Sequence, residues 1–382
     1  MVKKNIRIFN IKYSEDESEK ILQYFKDVLD TAFLSNHKYC RKLEAELEKY
    51  CKNYKAISCS SATTGLEAVF RYIDVKNKAV LVQSNTFIAT GHAVQAAGGI
   101  VVPIDLNEDY IISFDDVKKA FYECKNLSID IAAMCIVNIS GRISEEIFKI
   151  QKFCEANQIK LVEDNAQGLL STLDKKQLGS LSDFSVTSFQ TTKVIACGEG
   201  GAILCKKEKD ALNIRDYIFY GKDKENNLLY LNESGNFKLS ELNAALAFAD
   251  LERSPERIRR RQEIDKMYKE GVRSKFFYYL NHPNKNIPSN YKTIFIAKSE
   301  SVRESLETYF KENGVAMTGY VYKIPLHKQP RIYNNKTFIN RELPFTEDFC
   351  NMHFTPPNYP ELTNDEISYT IKILNSFEEK LR

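Results

Sequence analysis

No apolar run in this sequence is long enough to cross a bilayer, and no apolar core follows Met1-Val2-Lys3-Lys4-Asn5 to make a secretory signal. Both absences point to a cytoplasmic protein. Basic blocks are missing too, and a net charge of +3 over 382 residues gives no support to nucleic-acid binding. The nine cysteines (40, 51, 59, 124, 135, 154, 197, 205 and 350) form no C-x-x-C pair, which argues against a zinc site or a disulfide framework. Several sit in apolar stretches such as Ala133-Met134-Cys135-Ile136-Val137, as reduced, buried thiols do. The five histidines, at 37, 92, 282, 327 and 353, have no metal-ligand spacing, so no metal is expected. His92 is expected to be a packing residue. No G-x-G-x-x-G follows the early strands and the glycine run Gly198-Glu199-Gly200-Gly201 does not fit a Walker loop, so a plain nucleotide-binding enzyme is disfavoured.

What is present reads as globular: 43% of residues are hydrophobic and 27% charged. The length suggests two domains, placed at 1–250 and 251–382. Helical spacing of apolar residues occurs over 14–33 and 42–51. Short apolar runs then alternate with helical segments: 79–82 before 89–97, 100–104 before 114–122, 131–137 before 145–156, with 160–164 closing the series. That alternation predicts an α/β fold with a mostly parallel sheet covered on both faces. Ligands of such sheets lie beyond the carboxyl ends of the strands, here 83–87, 138–141 and 164–167. Further on, a strand over 202–205, a helix ending near 220, a polar loop over 222–235 and helices over 239–251 and 255–272 are expected. The remainder mixes short strands and turns with a last helix over 364–381, giving a smaller C-terminal α/β domain.

Four stretches carry candidate chemistry. Ser60-Ser61-Ala62-Thr63-Thr64-Gly65 brings small, hydroxylated residues into a helix start, where backbone N–H groups and the helix dipole favour a phosphate; an ordinary helix cap has the same look. Glu163-Asp164-Asn165-Ala166-Gln167 places an acidic pair at the end of a buried strand, where a carboxylate either pairs with a protonated ring nitrogen or caps a helix. In Ser185-Val186-Thr187-Ser188-Phe189-Gln190-Thr191-Thr192-Lys193 a lysine follows a hydroxyl-rich strand, suited to holding a carbonyl cofactor or merely solvated. Gly235-Asn236-Phe237-Lys238 reads by itself as a turn before an amphipathic helix.

In this order the four stretches resemble the DegT/StrS family of sugar aminotransferases, which has the aspartate-aminotransferase fold, fold type I. The similarity covers residues 20–270 and continues more thinly to Pro325-Leu326-His327-Lys328-Gln329-Pro330 and the final helix. The resemblance implies pyridoxal 5'-phosphate (PLP) as cofactor. It makes Lys193 the Schiff-base lysine and Asp164 the partner of the pyridine nitrogen. Ala62, Thr63 and Ser188 fall at the phosphate, Phe87 over the ring and Gln167 at the ring hydroxyl. Asn236 would reach the phosphate of a neighbouring subunit, which implies a homodimer with shared active sites. His327 is a candidate substrate-pocket residue on the same ground.

The sequence departs from the family pattern in four places. Ala62 stands for the usual glycine, Asn138-Ile139-Ser140-Gly141 for His-Leu-Tyr-Gly, and Lys238 for arginine, while the Gly-Pro type entry before Lys42 is missing. The activity implied is transfer of an amino group from L-glutamate to a keto sugar, nucleotide-linked, for amino-sugar biosynthesis, with Lys193 as general base and acid. Two rivals stand beside it. One is a sugar dehydratase of the same family, where histidine typically replaces the lysine. The other is a non-catalytic regulatory or scaffold protein, which would need none of Lys193, Asp164 and Ser188.

Overall fold

The structure, a computed structural model, describes residues 4–223, 225, 226, 228–318 and 322–377. It begins with α1 (Glu15–Thr31), whose start is fixed by a reciprocal cap between Ser14 and Glu17. Next comes α2 (Lys38–Tyr50), which starts a turn earlier than the apolar spacing predicts. The reason is tertiary: the buried Glu241 carboxylate accepts hydrogen bonds from the Tyr39 and Cys40 N–H groups at 2.7 and 3.1 Å.

Strands and helices then alternate as β1 (Lys55–Cys59), α3 (Ala62–Ile73), β2 (Ala79–Gln83), α4 (Ile88–Ala96), β3 (Ile100–Ile104) and α5 (Phe114–Asn126). They continue as β4 (Ile131–Val137), α6 (Glu146–Ala156) and β5 (Lys160–Asp164), with a small hairpin of β6 (Thr172–Leu173) and β7 (Lys176–Gln177). After these come β8 (Phe184–Ser188), β9 (Gly201–Cys205), α7 (Glu208–Ile218), α8 (Glu241–Glu252) and α9 (Ser254–Gly271). Seven of these strands make one sheet in the order β1-β9-β8-β5-β4-β2-β3, in which β9 alone runs against its neighbours. The alternating series therefore does not close at residue 164; β8, β9 and the unanticipated β1 extend it.

Alternation along the strands explains why both faces are covered. Val80, Val82, Cys135, Val162 and Val186 pack with Leu66, Val69 and Phe70 of α3 on one face. Leu81, Met134, Ile136 and Leu161 meet Val117 of α5 and Ile147 and Ile150 of α6 on the other. Truncating a side chain as buried as Phe70 to alanine would cost about 3–5 kcal/mol.

The remaining chain forms a three-stranded antiparallel sheet of β10 (Phe277–Tyr279), β12 (Phe295–Ala297) and β13 (His353–Phe354), while β11 (Asn286–Ile287) joins the β6–β7 hairpin. Helices α10 (Glu300–Glu312), α11 (Pro330–Tyr333), α12 (Pro344–Met352) and α13 (Asn364–Ser376) complete it. The expected last helix ends at Ser376; residues 378–382 lie outside those described. Its core gathers Ile264, Phe277, Phe295, Phe310 and Ile373 with Ile6 from the N-terminus, whereas Leu326 and Ile332 pack into the core beside α3. All nine cysteines are buried and unbonded to one another.

Candidate active site

The carboxyl ends of β2, β4, β5 and β8 open on a cavity of about 660 Å³. Ser61, Ala62, Thr63, Phe87, Asp164, Gln167, Ser188 and Lys193, which the sequence singles out, all line it.

At one end lies the start of α3. Ser61 caps the helix by accepting from Thr64 N–H, and Thr64 Oγ1 accepts from Ser61 N–H in return. The cap leaves the N–H groups of Ala62 and Thr63 with no hydrogen-bond partner among the described residues. Both the cap and the anion-binding reading of this stretch thus describe the same turn, with two free donors at a positive helix end. Gly201 makes this approach possible: a Cβ there would sit 2.7 Å from Ala62 N and 2.7 Å from Thr187 O. Ser188, at the end of β8, accepts from Gln190 N–H at 3.3 Å.

Asp164 is buried at the end of β5. Its carboxylate accepts from Thr90 Oγ1 at 2.7 Å and Ala166 N–H at 3.2 Å. Thr90 gives its proton to Asp164, so the 2.7 Å contact from Thr86 is a donation to Thr90, a two-hydroxyl chain that fixes the carboxylate. Burial raises the Asp164 carboxyl above its ordinary range, against the pull of these hydrogen bonds and of the Lys193 charge. No cation lies within ion-pair distance of it among the described residues. Its neighbour Glu163 points to the other side of the strand, where Gly179 N–H, Leu181 N–H, Ser182 Oγ and Asn138 Nδ2 donate to it, each at 2.9 Å. The acidic pair splits into one cavity group and one structural group.

Gln167 is oriented from both ends: Oε1 accepts from Ser140 N–H at 3.0 Å and Nε2 donates to the Tyr322 hydroxyl. Phe87, the half-exposed cap of α4, stands on the cavity wall. Lys193 Nζ lies 5.0 Å from the centre of the Tyr291 ring. The Tyr291 hydroxyl meets Thr192 Oγ1 at 2.9 Å, and Thr192 in turn donates to Gln190 Oε1 at 2.7 Å. Burial alone would raise the Tyr291 phenol, yet the charges of Lys193 and Lys292 with the Thr192 bond bring it down to about 8.

His327 does not line the cavity, nor does Asn236, which is expected at the phosphate of a neighbouring subunit and not at this one. Asn236 is exposed beside α7, bridged to Phe219. His327 is buried behind the wall, with Nδ1 against Ser84 Oγ at 2.8 Å and Nε2 against Glu347 at 3.2 Å. The histidine on the cavity is His353, stacked on Phe349 with ring centres 4.4 Å apart. His92 is exposed on α4 and not packed. Arg261, Tyr291, Lys292, Tyr322 and Asn358 line the cavity without having been anticipated. Thr90, which holds Asp164 from the first turn of α4, had a local signal: a hydroxyl four residues after Thr86, which precedes the Phe87 cap of that helix.

These groups fit PLP. Two open N–H donors and Ser188 suit a phosphate, and a buried carboxylate lacking a cation suits a protonated ring nitrogen. The Lys193 amine, in the same cavity, suits a carbonyl carbon. A mostly parallel seven-stranded sheet presenting these groups defines a PLP-dependent transferase of fold type I. The model of the DegT/DnrJ/EryC1/StrS aminotransferase family matches residues 15–375, and the chain belongs to that family of PLP-dependent transaminases. It is 24% identical over 371 residues to the GDP-perosamine synthase of Escherichia coli O157:H7, covering 96% of this chain and 97% of that one. It is also 24% identical over 358 residues to the 3-oxo-glucose-6-phosphate:glutamate aminotransferase of Bacillus subtilis, covering 92% and 79% of the two chains. Among solved structures it resembles NtdA of Bacillus subtilis with bound cofactor PMP, with a TM-score of 0.84, 21% identity and coverage of 96% and 83%.

Proposed function

We propose that this aminotransferase moves the amino group of L-glutamate to a keto sugar carried on a nucleotide, with Lys193 as the residue that holds the cofactor and moves the proton. The observation that carries the reading is the meeting of Lys193, Asp164, Ser188 and the α3 start in one cavity. The names of the relatives, one a GDP-sugar synthase and one a glutamate-dependent sugar aminotransferase, support the choice of substrates.

PLP, when bound, supplies an electron sink that makes the donor's α-proton acidic. Ala62 and Thr63 N–H and Ser188 Oγ hold its phosphate, Asp164 keeps its ring nitrogen protonated, Gln167 faces its ring hydroxyl and Phe87 covers the ring. Lys193 Nζ would take the proton from the donor α-carbon as general base and give up a proton as general acid, with the roles reversed for the acceptor. The Thr86–Thr90 chain holds the Asp164 carboxylate against rotation. Asn236 acts on the phosphate site of a second copy, so the working unit is a homodimer. The buried, unpaired cysteines suit a reducing cytoplasm.

The test is the visible spectrum of the purified protein before and after L-glutamate. Conversion of the cofactor band by glutamate is the expected result. A band that ignores glutamate would replace the donor, and no band after PLP is supplied would overturn the reading.

A further inference from the structure

We propose that Lys292 and Arg261 form a second anion subsite in this cavity, taking a carboxylate or phosphoryl group of the substrate. This deepens the aminotransferase reading and rests on it for the placement of the cofactor phosphate at the α3 start.

Arg261, on α9, is buried, and its described hydrogen bonds all use Nη1, toward the carbonyls of Tyr291 and Asn358. Lys292 is held by its backbone: its N–H donates to Ser140 Oγ at 2.8 Å and its carbonyl accepts from the same hydroxyl at 2.6 Å. Its Nζ lies 4.8 Å from the centre of the Tyr291 ring, which Lys193 also approaches. Both cations line the cavity.

Neither has an ion pair among the described residues. The carboxylates that Arg261 senses at a distance are already engaged, Glu361 by Arg257 at 2.7 Å and Asp250 by Arg253 at 2.5 Å. A buried Arg261 and a partly buried Lys292, without an ion-paired carboxylate among the described residues, are unfavourable, and an incoming anion corrects this. Burial lowers Lys292 from its ordinary value; the Tyr291 phenol opposes this, and the neighbouring charges of Arg261 and Lys193 add to it. The cofactor does not supply that charge: its phosphate belongs to Ala62, Thr63 and Ser188, and its ring nitrogen to Asp164. What remains is the substrate. An amino donor brings a carboxylate to the neighbourhood of Lys193, and an acceptor sugar can bring a phosphoryl group.

The experiment uses PLP-saturated protein, as wild type, Lys292→Gln and Lys292→Arg, with circular dichroism as the check on folding. L-glutamate is titrated against the cofactor band. Inorganic phosphate is titrated against the melting temperature, with sodium chloride at matched ionic strength as control. If the subsite takes the donor carboxylate, Lys292→Gln raises the half-saturating glutamate about tenfold or more, with a smaller change in maximal rate, and Lys292→Arg restores most of it. If it takes a phosphoryl group, glutamate is unaffected but phosphate stabilises wild type and Lys292→Arg and fails to stabilise Lys292→Gln. Unchanged responses to both ligands overturn the proposal. Should wild type show no cofactor band, the aminotransferase reading fails separately, and the phosphate arm alone decides the role of Lys292.

Discussion

Glu163 and Asp164 are consecutive carboxylates on β5, and their neutral isosteres should separate stability from chemistry. In Glu163→Gln the amide has two possible orientations. With Nε2 replacing the oxygen that faces Leu181 and Ser182, the new N–H can donate to Ser182 Oγ, whose own proton turns to Phe184 O at 2.6 Å. Only Leu181 N–H is then left without an acceptor. The reverse orientation strands Gly179 N–H and leaves Asn138 Nδ2 only its bond to Asn165 Oδ1, so it is disfavoured. One buried donor left unmade costs about 1–3 kcal/mol. Glu163→Ala strands both Gly179 N–H and Leu181 N–H, while Ser182 Oγ keeps Phe184 O and Asn138 Nδ2 keeps Asn165 Oδ1, and it should cost at least about twice as much. Asp164→Asn differs: Oδ1 still accepts from Ala166 and Nδ2 can donate to Thr90, whose proton turns to Thr86. Its stability should stay within about 1 kcal/mol of wild type, while loss of the charge facing the ring nitrogen lowers turnover at least about a hundredfold. Urea unfolding midpoints and glutamate half-reaction rates measure the two effects. A Glu163→Gln protein as stable as wild type, or an Asp164→Asn protein with full turnover, would refute the reasoning.

Other outcomes follow from single contacts. Burial lowers His327 below its ordinary value despite Glu347, so the unfolded chain binds its proton first; stability is complete above about pH 6.5 and falls as pH drops below it. The melting temperature should therefore decline between pH 7.5 and 5.5 more steeply in wild type than in His327→Gln; equal slopes would contradict this. Gly201→Ala drives a methyl into Ala62 N and Thr187 O and should cost about 1–3 kcal/mol, with PLP lost on dialysis; retention as in wild type would count against the α3 start as phosphate site. Asn236→Ala should weaken PLP binding without altering the melting temperature of the cofactor-free protein, and unchanged affinity would remove its role across subunits.

Much of the cavity was legible because one wall is made of short local stretches at strand ends. Ser61 to Thr63, Asp164, Ser188 and Lys193 each follow a strand or open a helix, and topology brings strand ends together. The opposite wall was not legible. Arg261, Tyr291, Lys292 and Asn358 come from three separate segments that carry no shared pattern, and only the tertiary fold apposes them. The same limit explains α2, whose first turn is capped by a carboxylate some two hundred residues away. The resemblance around Pro325 to Pro330 points to His327, whereas position in space puts His353 on the cavity. The split between Glu163 and Asp164, by contrast, follows from the two-residue period of a strand and could have been read directly.

The measurement that bears most directly on the account is borohydride reduction of the PLP-loaded protein followed by peptide mapping. The account predicts that the cofactor is fixed to the peptide carrying Lys193, and that Lys193→Ala loses both the label and the glutamate response. Label on another lysine, or turnover that survives Lys193→Ala, would contradict it.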